Sequence, residues 1–260
     1  MKKYEFTGET KRVELWNRTA TLHRIKATVE FGFVKVGELG GWIEKEENLS
    51  HEGKAWVWGN AKVCDDAKVC GDAKVCGDAK VWGNAEVWGN AEVCDDAKVW
   101  GNAEVWGNAK VCGDAKVCGD AKVCGDAEVC GDAKVCGDAE VWGNAKVWGN
   151  AEVCDDAKVW GNAKVCDDAK VCGDAKVCGD AEVFLASHVL VMGSVGSRND
   201  FTTFFRDKDN EITVKCGCFL GKIDKFLEKV TQTHGNNKYA LVYRAAVEVA
   251  KLQIELTERK

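Results

Sequence analysis

Proline is absent from the 260 residues, and so is any run of about 18 consecutive apolar residues, the length that a membrane-spanning helix requires. The N-terminal stretch MKKYEFTGETKRVELWNRTA also lacks the uninterrupted apolar core of a secretory signal. The expectation is a cytoplasmic protein with no membrane contact. Basic charge is scarce as well: a net charge of −6 and a pI near 5.4 provide no cationic footprint to displace counterions from phosphates. Direct nucleic-acid binding is therefore not expected, although an acidic surface leaves mimicry of nucleic acid open. Without Pro and with 46% hydrophobic residues, the composition is not that of a disordered chain. Its length suits one or two domains with real cores.

What the chain has in excess is cysteine, 15 in all. In a chain without an export signal these are expected mostly as thiols, because reducing compartments disfavour stable disulfides. Most of them belong to a repeat. From Ala55 to Ala181 an Ala recurs every six residues, and from Val57 to Val183 a Val follows two positions later, 22 of each without a slip. The hexad reads Ala, Lys or Glu, Val, Cys or Trp, Gly or Asp, Asn or Asp. So short a period repeated so often means a solenoid. On an extended chain Ala and Val point to one side, and Lys/Glu and Cys/Trp to the other. Gly, Asn and Asp tolerate left-handed backbone angles and supply the corner.

The motif Ala-x-Val-x-Gly-Asn/Asp is similar to the hexapeptide repeat of left-handed parallel β-helices, in which three hexads make one triangular coil of 18 residues. That resemblance implies the left hand, against the usual crossover rule. The fold class it implies is an all-β solenoid of about seven coils over residues 55–184, roughly 34 Å long at about 4.8 Å per rung. A β-rich N-terminal cap would occupy residues 1–54 and an α+β C-terminal cap residues 185–260, since exposed strand edges at solenoid ends template polymerisation.

Stacking at 18-residue spacing sorts the outward Cys/Trp slot into three columns. Trp82, Trp88, Trp100 and Trp106 fall together around one corner, and Trp142, Trp148 and Trp160 around another. Such aromatic patches exceed what a soluble monomer usually exposes. Two roles compete for them: stacking that merely stabilises neighbouring coils, and contact with a protein partner or a second copy of the chain. Cys76 to Cys130 and Cys118 to Cys172 form columns of four thiols each. A straight line of parallel thiols does not suit tetrahedral zinc, and their Cβ spacing reads as too wide for disulfides. No metal or cofactor is expected. Between Ala55 and Asp180, 14 Lys oppose 6 Glu and 17 Asp, a net charge of −9. Lys62, Lys80, Lys98, Lys116 and Lys134 share one face, whereas Lys74, Glu92, Lys110 and Glu128 alternate on another.

The N-terminal segment alternates as ATLHRIKATVEF, and Gly40-Gly41 reads as a bend. Through LHRI and GELGGWIEKEENLSHEGKAWVWGNAKV it resembles a family of phage and prophage hexapeptide-repeat proteins related to the bacterial YdcK-like repeat proteins. The C-terminal segment resembles the same family through GSRNDFTTFFRDKDNEITVKCGCF and THGNNKYALVYRAA. Relatives commonly carry Tyr in the outward slot that is Cys or Trp here. The resemblance places the protein in the cytoplasm of a bacterial host. TTFFRDKDNEITVKCGCF reads as a hairpin turning at Asp209-Asn210. Ile223, Phe226, Leu227 and Val230 fall at helical spacing before a Gly235 stop. A second helix is expected from near Lys238 to Leu256, apolar at Val242, Ala246, Val249 and Leu256. In this segment Cys216, Cys218 and His234 offer ligand types, and Arg198 with Arg206 offer a phosphate clamp. They mark the place to look for a small-molecule site, against the alternative that Cys216 and Cys218 simply flank a strand position and His234 ends a helix.

Hexapeptide β-helices include acyltransferases that use a His general base near interrupted coils. Here His23, His51, His188 and His234 all lie outside the hexads, and no insertion breaks the repeat. The favoured reading is a non-enzymatic structural or interaction protein, a rigid acidic rod of phage or prophage type. The alternative is a decoy in phage–host conflict, mimicking nucleic acid or capturing a nucleotide.

Overall fold

The structure, a computed structural model, describes residues 2–15 and 18–256. A long hairpin, β1 (Tyr4–Glu14) and β2 (Thr19–Ala27), pairs antiparallel and lays β2 against β3 (Leu39–Ile43). Then come 22 two-residue strands, one per hexad, from β4 (Trp56–Val57) to β25 (Glu182–Val183). Each consists of the Lys/Glu position (Trp56 in the first) and its Val. Each but the last three pairs in parallel with the strand 18 residues on, so that Lys80, Lys98 and Lys116 are in register, as are Glu92, Lys110 and Glu128. The chain is thus a three-faced parallel β-solenoid.

The winding begins before the hexads do. β3 pairs in parallel with Lys62–Val63, and Leu49 bridges Val69. With β4 these segments complete a first coil, making about eight in all and a length of roughly 38 Å at about 4.8 Å per rung. Gly40 and Gly41 do not form the expected bend. Both lie inside β3, and the reason is packing: a Cβ on Gly40 would sit 2.6 Å from Ile25 and 2.7 Å from Trp56, and one on Gly41 2.7 Å from the Ala61 carbonyl oxygen. Only a missing side chain lets β3 close onto the first hexads.

Every hexad Ala and Val is fully buried. Burying one Val contributes about 1.5–3 kcal/mol relative to exposure. Coil-to-coil hydrogen bonds, such as Lys98 N to Ala115 O and Trp100 N to Val117 O, satisfy the backbone around this column. The corners take positive φ at Gly, as expected, and also at Asp65, Asp95, Asp155 and Asp167. Such Asp corners do more than tolerate the angle. Asp65, Asp95 and Asp155 accept a hydrogen bond from the backbone N–H of Gly83, Gly113 and Gly173, one coil further on.

Both ends are closed by different sequence. At the N-terminal end Tyr4 donates its hydroxyl to the Leu49 and Glu46 carbonyls, Lys3 Nζ donates to the Ala55 carbonyl, and Trp56 is buried against Tyr4 and Phe31. At the other end an antiparallel sheet forms from β26 (Val189–Val195), β27 (Asp200–Arg206), β28 (Ile212–Cys216) and β29 (Phe219–Lys222). Phe205 of β27 joins the solenoid core and Asp207 bridges Ala181. The turn between β27 and β28 has Asn210 at φ 57°, in agreement with the turn expected at Asp209-Asn210. Helix α1 (Ile223–His234) stops at Gly235, also as read. Helix α2 (Lys238–Gln253) differs from expectation in its buried face. Ala240, Tyr243, Ala246, Val247 and Ala250 are buried, while Val242, Val249 and Leu256 are exposed. The buried face enters one core with Phe226 and Val230 of α1, and the Tyr243 ring meets Phe226 edge-on at 5.5 Å. Among the described residues no helix is long and apolar enough to cross a membrane.

Candidate functional site

In-register stacking turns the Trp slots into ladders. Trp82 and Trp100, Trp88 and Trp106, and Trp142 and Trp160 each stack with ring centroids 5.0 Å apart and planes within 4° of parallel. Trp148 stands alone between cysteine rungs, exposed, with Lys146 Nζ 4.8 Å from its ring centroid. The ladders are half-buried and do not share one environment. Trp82 packs in a cluster with Leu22, Val13 and Leu15 of the N-terminal hairpin, so the Trp82/Trp100 ladder runs alongside a roof. Trp88/Trp106 and Trp142/Trp160 share a sheet on another face.

The thiol columns depart from expectation at one rung. Cys154 and Cys172 form a disulfide, and Cys112 Sγ lies 2.7 Å from Cys130 Sγ. Adjacent-coil side chains held fixed and parallel would keep such sulfurs apart, but Cys154 and Cys172 are not so held. Their Cα atoms are 4.6 Å apart, inside the range that disulfides span, and sulfurs that lean toward each other meet. Asp155 adds a carboxylate oxygen beside this rung, three donor atoms lying within 4.8 Å of one another. Burial pushes the Cys64 thiol up to about 12 and those of Cys118 and Cys178 to about 11, which favours inert thiols over nucleophilic thiolates.

Charge is distributed unevenly over the faces. The mixed columns pair, as in Lys74–Glu92 at 2.8 Å, Glu140–Lys158 at 2.8 Å and Glu128–Lys146 at 3.2 Å. Among the described residues the all-Lys column pairs only at its far end, Lys134 with Glu152 at 2.9 Å.

The structure brings together most of the C-terminal residues singled out from sequence. Arg198, Cys216, Cys218 and His234 line one cavity of about 460 Å³, floored by Phe219 and Phe226. Arg198 Nη1 is 4.0 Å from Cys218 Sγ, and its guanidinium occupies the space that a side chain on Gly217 would fill. Three residues that sequence reasoning missed complete this wall. Ser197 Oγ is 3.2 Å from His234 Nε2, Tyr243 stacks on the His234 ring at 5.8 Å, and Lys229 lines the rim. Ser197 sits on a tight turn between β26 and β27, and no local pattern announces its proximity to the end of α1. Arg206 is not part of the cavity. It donates to the Glu182 carbonyl and to Asn210, and covers the Phe184 ring, so it fastens the cap to the last coil. Cys216 ends β28 and His234 ends α1, which is the plainer placement anticipated for them.

No protein-family model matches this chain, and no curated protein does.

Proposed function

We propose that this chain is a non-enzymatic structural or interaction protein of the phage or prophage hexapeptide-repeat type, working in a bacterial cytoplasm as a rigid acidic rod. Its Trp columns engage a protein partner or a second copy of the chain. The observation that carries this reading is the pair of parallel indole ladders, Trp88/Trp106 and Trp142/Trp160, with the exposed Trp148. Stacked indoles present large amphipathic area with few rotatable bonds to order, the property that makes Trp frequent among interface anchors. The net charge of −9 between Ala55 and Asp180 favours a partner with basic complement around those anchors. The resemblance of GGWIEKEENLS and of the C-terminal segment to phage hexapeptide-repeat proteins supports the biological setting.

The two arms separate by mass. Light scattering of the wild type against a Trp88→Glu/Trp106→Glu variant reads self-association directly. A multimer of the 28.3 kDa chain that the variant reduces to monomer assigns the ladder to a second copy. A monomer in both cases, with capture of one macromolecule by the wild type and not by the variant, assigns it to a partner. Identical mass and identical capture would remove the proposal.

A further inference from the structure

A row of cations without an ion-pair partner among the described residues lies beside an indole ladder. Lys62, Lys80 and Lys98 line a groove of about 640 Å³ together with Trp82 and Trp100, and Val13 and Leu15 of the N-terminal hairpin form its opposite wall. Lys80 and Lys98 make no ion pair or side-chain hydrogen bond with any described residue, and Lys62 Nζ donates only to the Asn60 carbonyl. Parallel register fixes these three side chains in a row, one per coil, so like charges are held together by the fold. Lys11 of β1 approaches from the hairpin side, over the Trp42 ring. Burial, Lys11 and Lys80 hold the Lys62 ammonium below its ordinary value, and the corner carboxylates of Asp78 and Asp96 only partly oppose this. Glu14 is the one carboxylate that lines the groove, and it accepts a hydrogen bond from Thr19.

We propose that this groove is a binding site for an amphiphilic organic anion, a carboxylate or phosphate head on an apolar body. The head lies along the ammonium groups of Lys62, Lys80 and Lys98, where it relieves repulsion that the protein itself compensates only in part. The body lies between Leu15 and Val13 on one side and the edges of Trp82 and Trp100 on the other. Lys stems fit this arrangement because they cover apolar surface while presenting charge at the rim. The groove volume falls in the range of small-ligand pockets, about 300–1,000 Å³. The site is independent of the macromolecular reading, since Trp88 and Trp106 lie on a different face.

Titration calorimetry on the full chain, kept reduced, with four probes separates head from body. Decanoate and decyl phosphate carry both, decanol carries the body alone and acetate the head alone. At least one of the first two is expected to bind ten-fold or more tightly than decanol and acetate, and comparison of the two identifies the preferred head. Lys80→Glu/Lys98→Glu should weaken that binding at least ten-fold. Lys80→Met/Lys98→Met, which keeps the apolar stems, should abolish the preference over decanol. Lys110→Glu, on another face, should leave affinity unchanged. Decanol binding as tightly as the anions, no binding by the wild type, or equal affinity in the Lys80/Lys98 variants would each overturn the assignment.

Discussion

Two corners of the solenoid form a matched pair that isolates the cost of stacking backbone on backbone. Gly113 and Gly173 have nearly the same conformation, φ 67° and 64°. Each follows a Cys, and each donates its N–H to an Asp one coil earlier at 3.1 Å. They differ in what lies one coil ahead. A Cβ on Gly113 would sit 2.9 Å from the Gly131 nitrogen and 3.1 Å from its carbonyl oxygen, whereas one on Gly173 meets nothing within 4 Å. Alanine at either site incurs the left-handed backbone cost, about 1–2 kcal/mol. Only at Gly113 must a neighbouring coil also move, and overpacking of that kind costs about 1–3 kcal/mol more. Gly173→Ala should therefore cost about 1–2 kcal/mol and Gly113→Ala about 2–5 kcal/mol. Urea unfolding under reducing conditions measures both, with far-UV circular dichroism as the signal and the slope checked for constancy. Equal midpoints for the two variants would refute the claim that the clash with the next coil, beyond φ alone, keeps glycine at these corners.

Three further outcomes are expected. The Trp88/Trp106 pair should show a coupling energy of about 0.5–1.5 kcal/mol in a double-mutant cycle to Ala, the usual worth of a packed aromatic pair beyond its buried area; additive single effects would mean that the indoles are neighbours without being partners. Asp207 is opposed by burial, but hydrogen bonds from Lys222, Thr213 and the Glu211 amide outweigh it and hold its carboxyl below the ordinary range. Its contribution is present above the unfolded value, about 3.9, and is lost as pH falls through the lower folded value. Thermal unfolding of the C-terminal unit followed from pH 7 to pH 2 should show this loss, and Asp207→Asn should flatten the profile while costing about 1.5–3 kcal/mol at neutral pH. Alkylation of the denatured chain prepared without reductant should find 13 free thiols against 15 with reductant, and a Cys154→Ser/Cys172→Ser variant should give the same count in both conditions.

The solenoid was legible because a strict six-residue period leaves a single register: every Ala and Val faces inward, and a one-residue slip would bury Lys. Columns at 18-residue spacing followed from the same arithmetic, which is why the Trp ladders and the Lys row appear where the sequence places them. Four features were not legible. Gly40-Gly41 looks like a bend by composition, and only the closeness of Trp56 and Ala61 makes it a strand. The Val242 and Val249 stripe of α2 points outward because Ala240, Tyr243, Ala246, Val247 and Ala250 enter the core shared by α1 and the sheet, a choice made by tertiary packing. The grouping of Ser197, Arg198 and Tyr243 with Cys216, Cys218 and His234 depends on how a sheet and two helices pack, and no spacing encodes it. The Lys row itself could be read from the sequence, but the hairpin that walls it into a groove could not.

The central functional claim is that the Trp ladders are contact surfaces. Replacing Trp106 by a photo-crosslinking residue, and in a separate chain replacing the exposed corner residue Asp132, tests it most directly in cell extract. The account predicts one crosslinked macromolecule from position 106, whether another copy of the chain or a partner, and none from position 132. Crosslinking of equal yield and identity from both positions, or from neither, would contradict it.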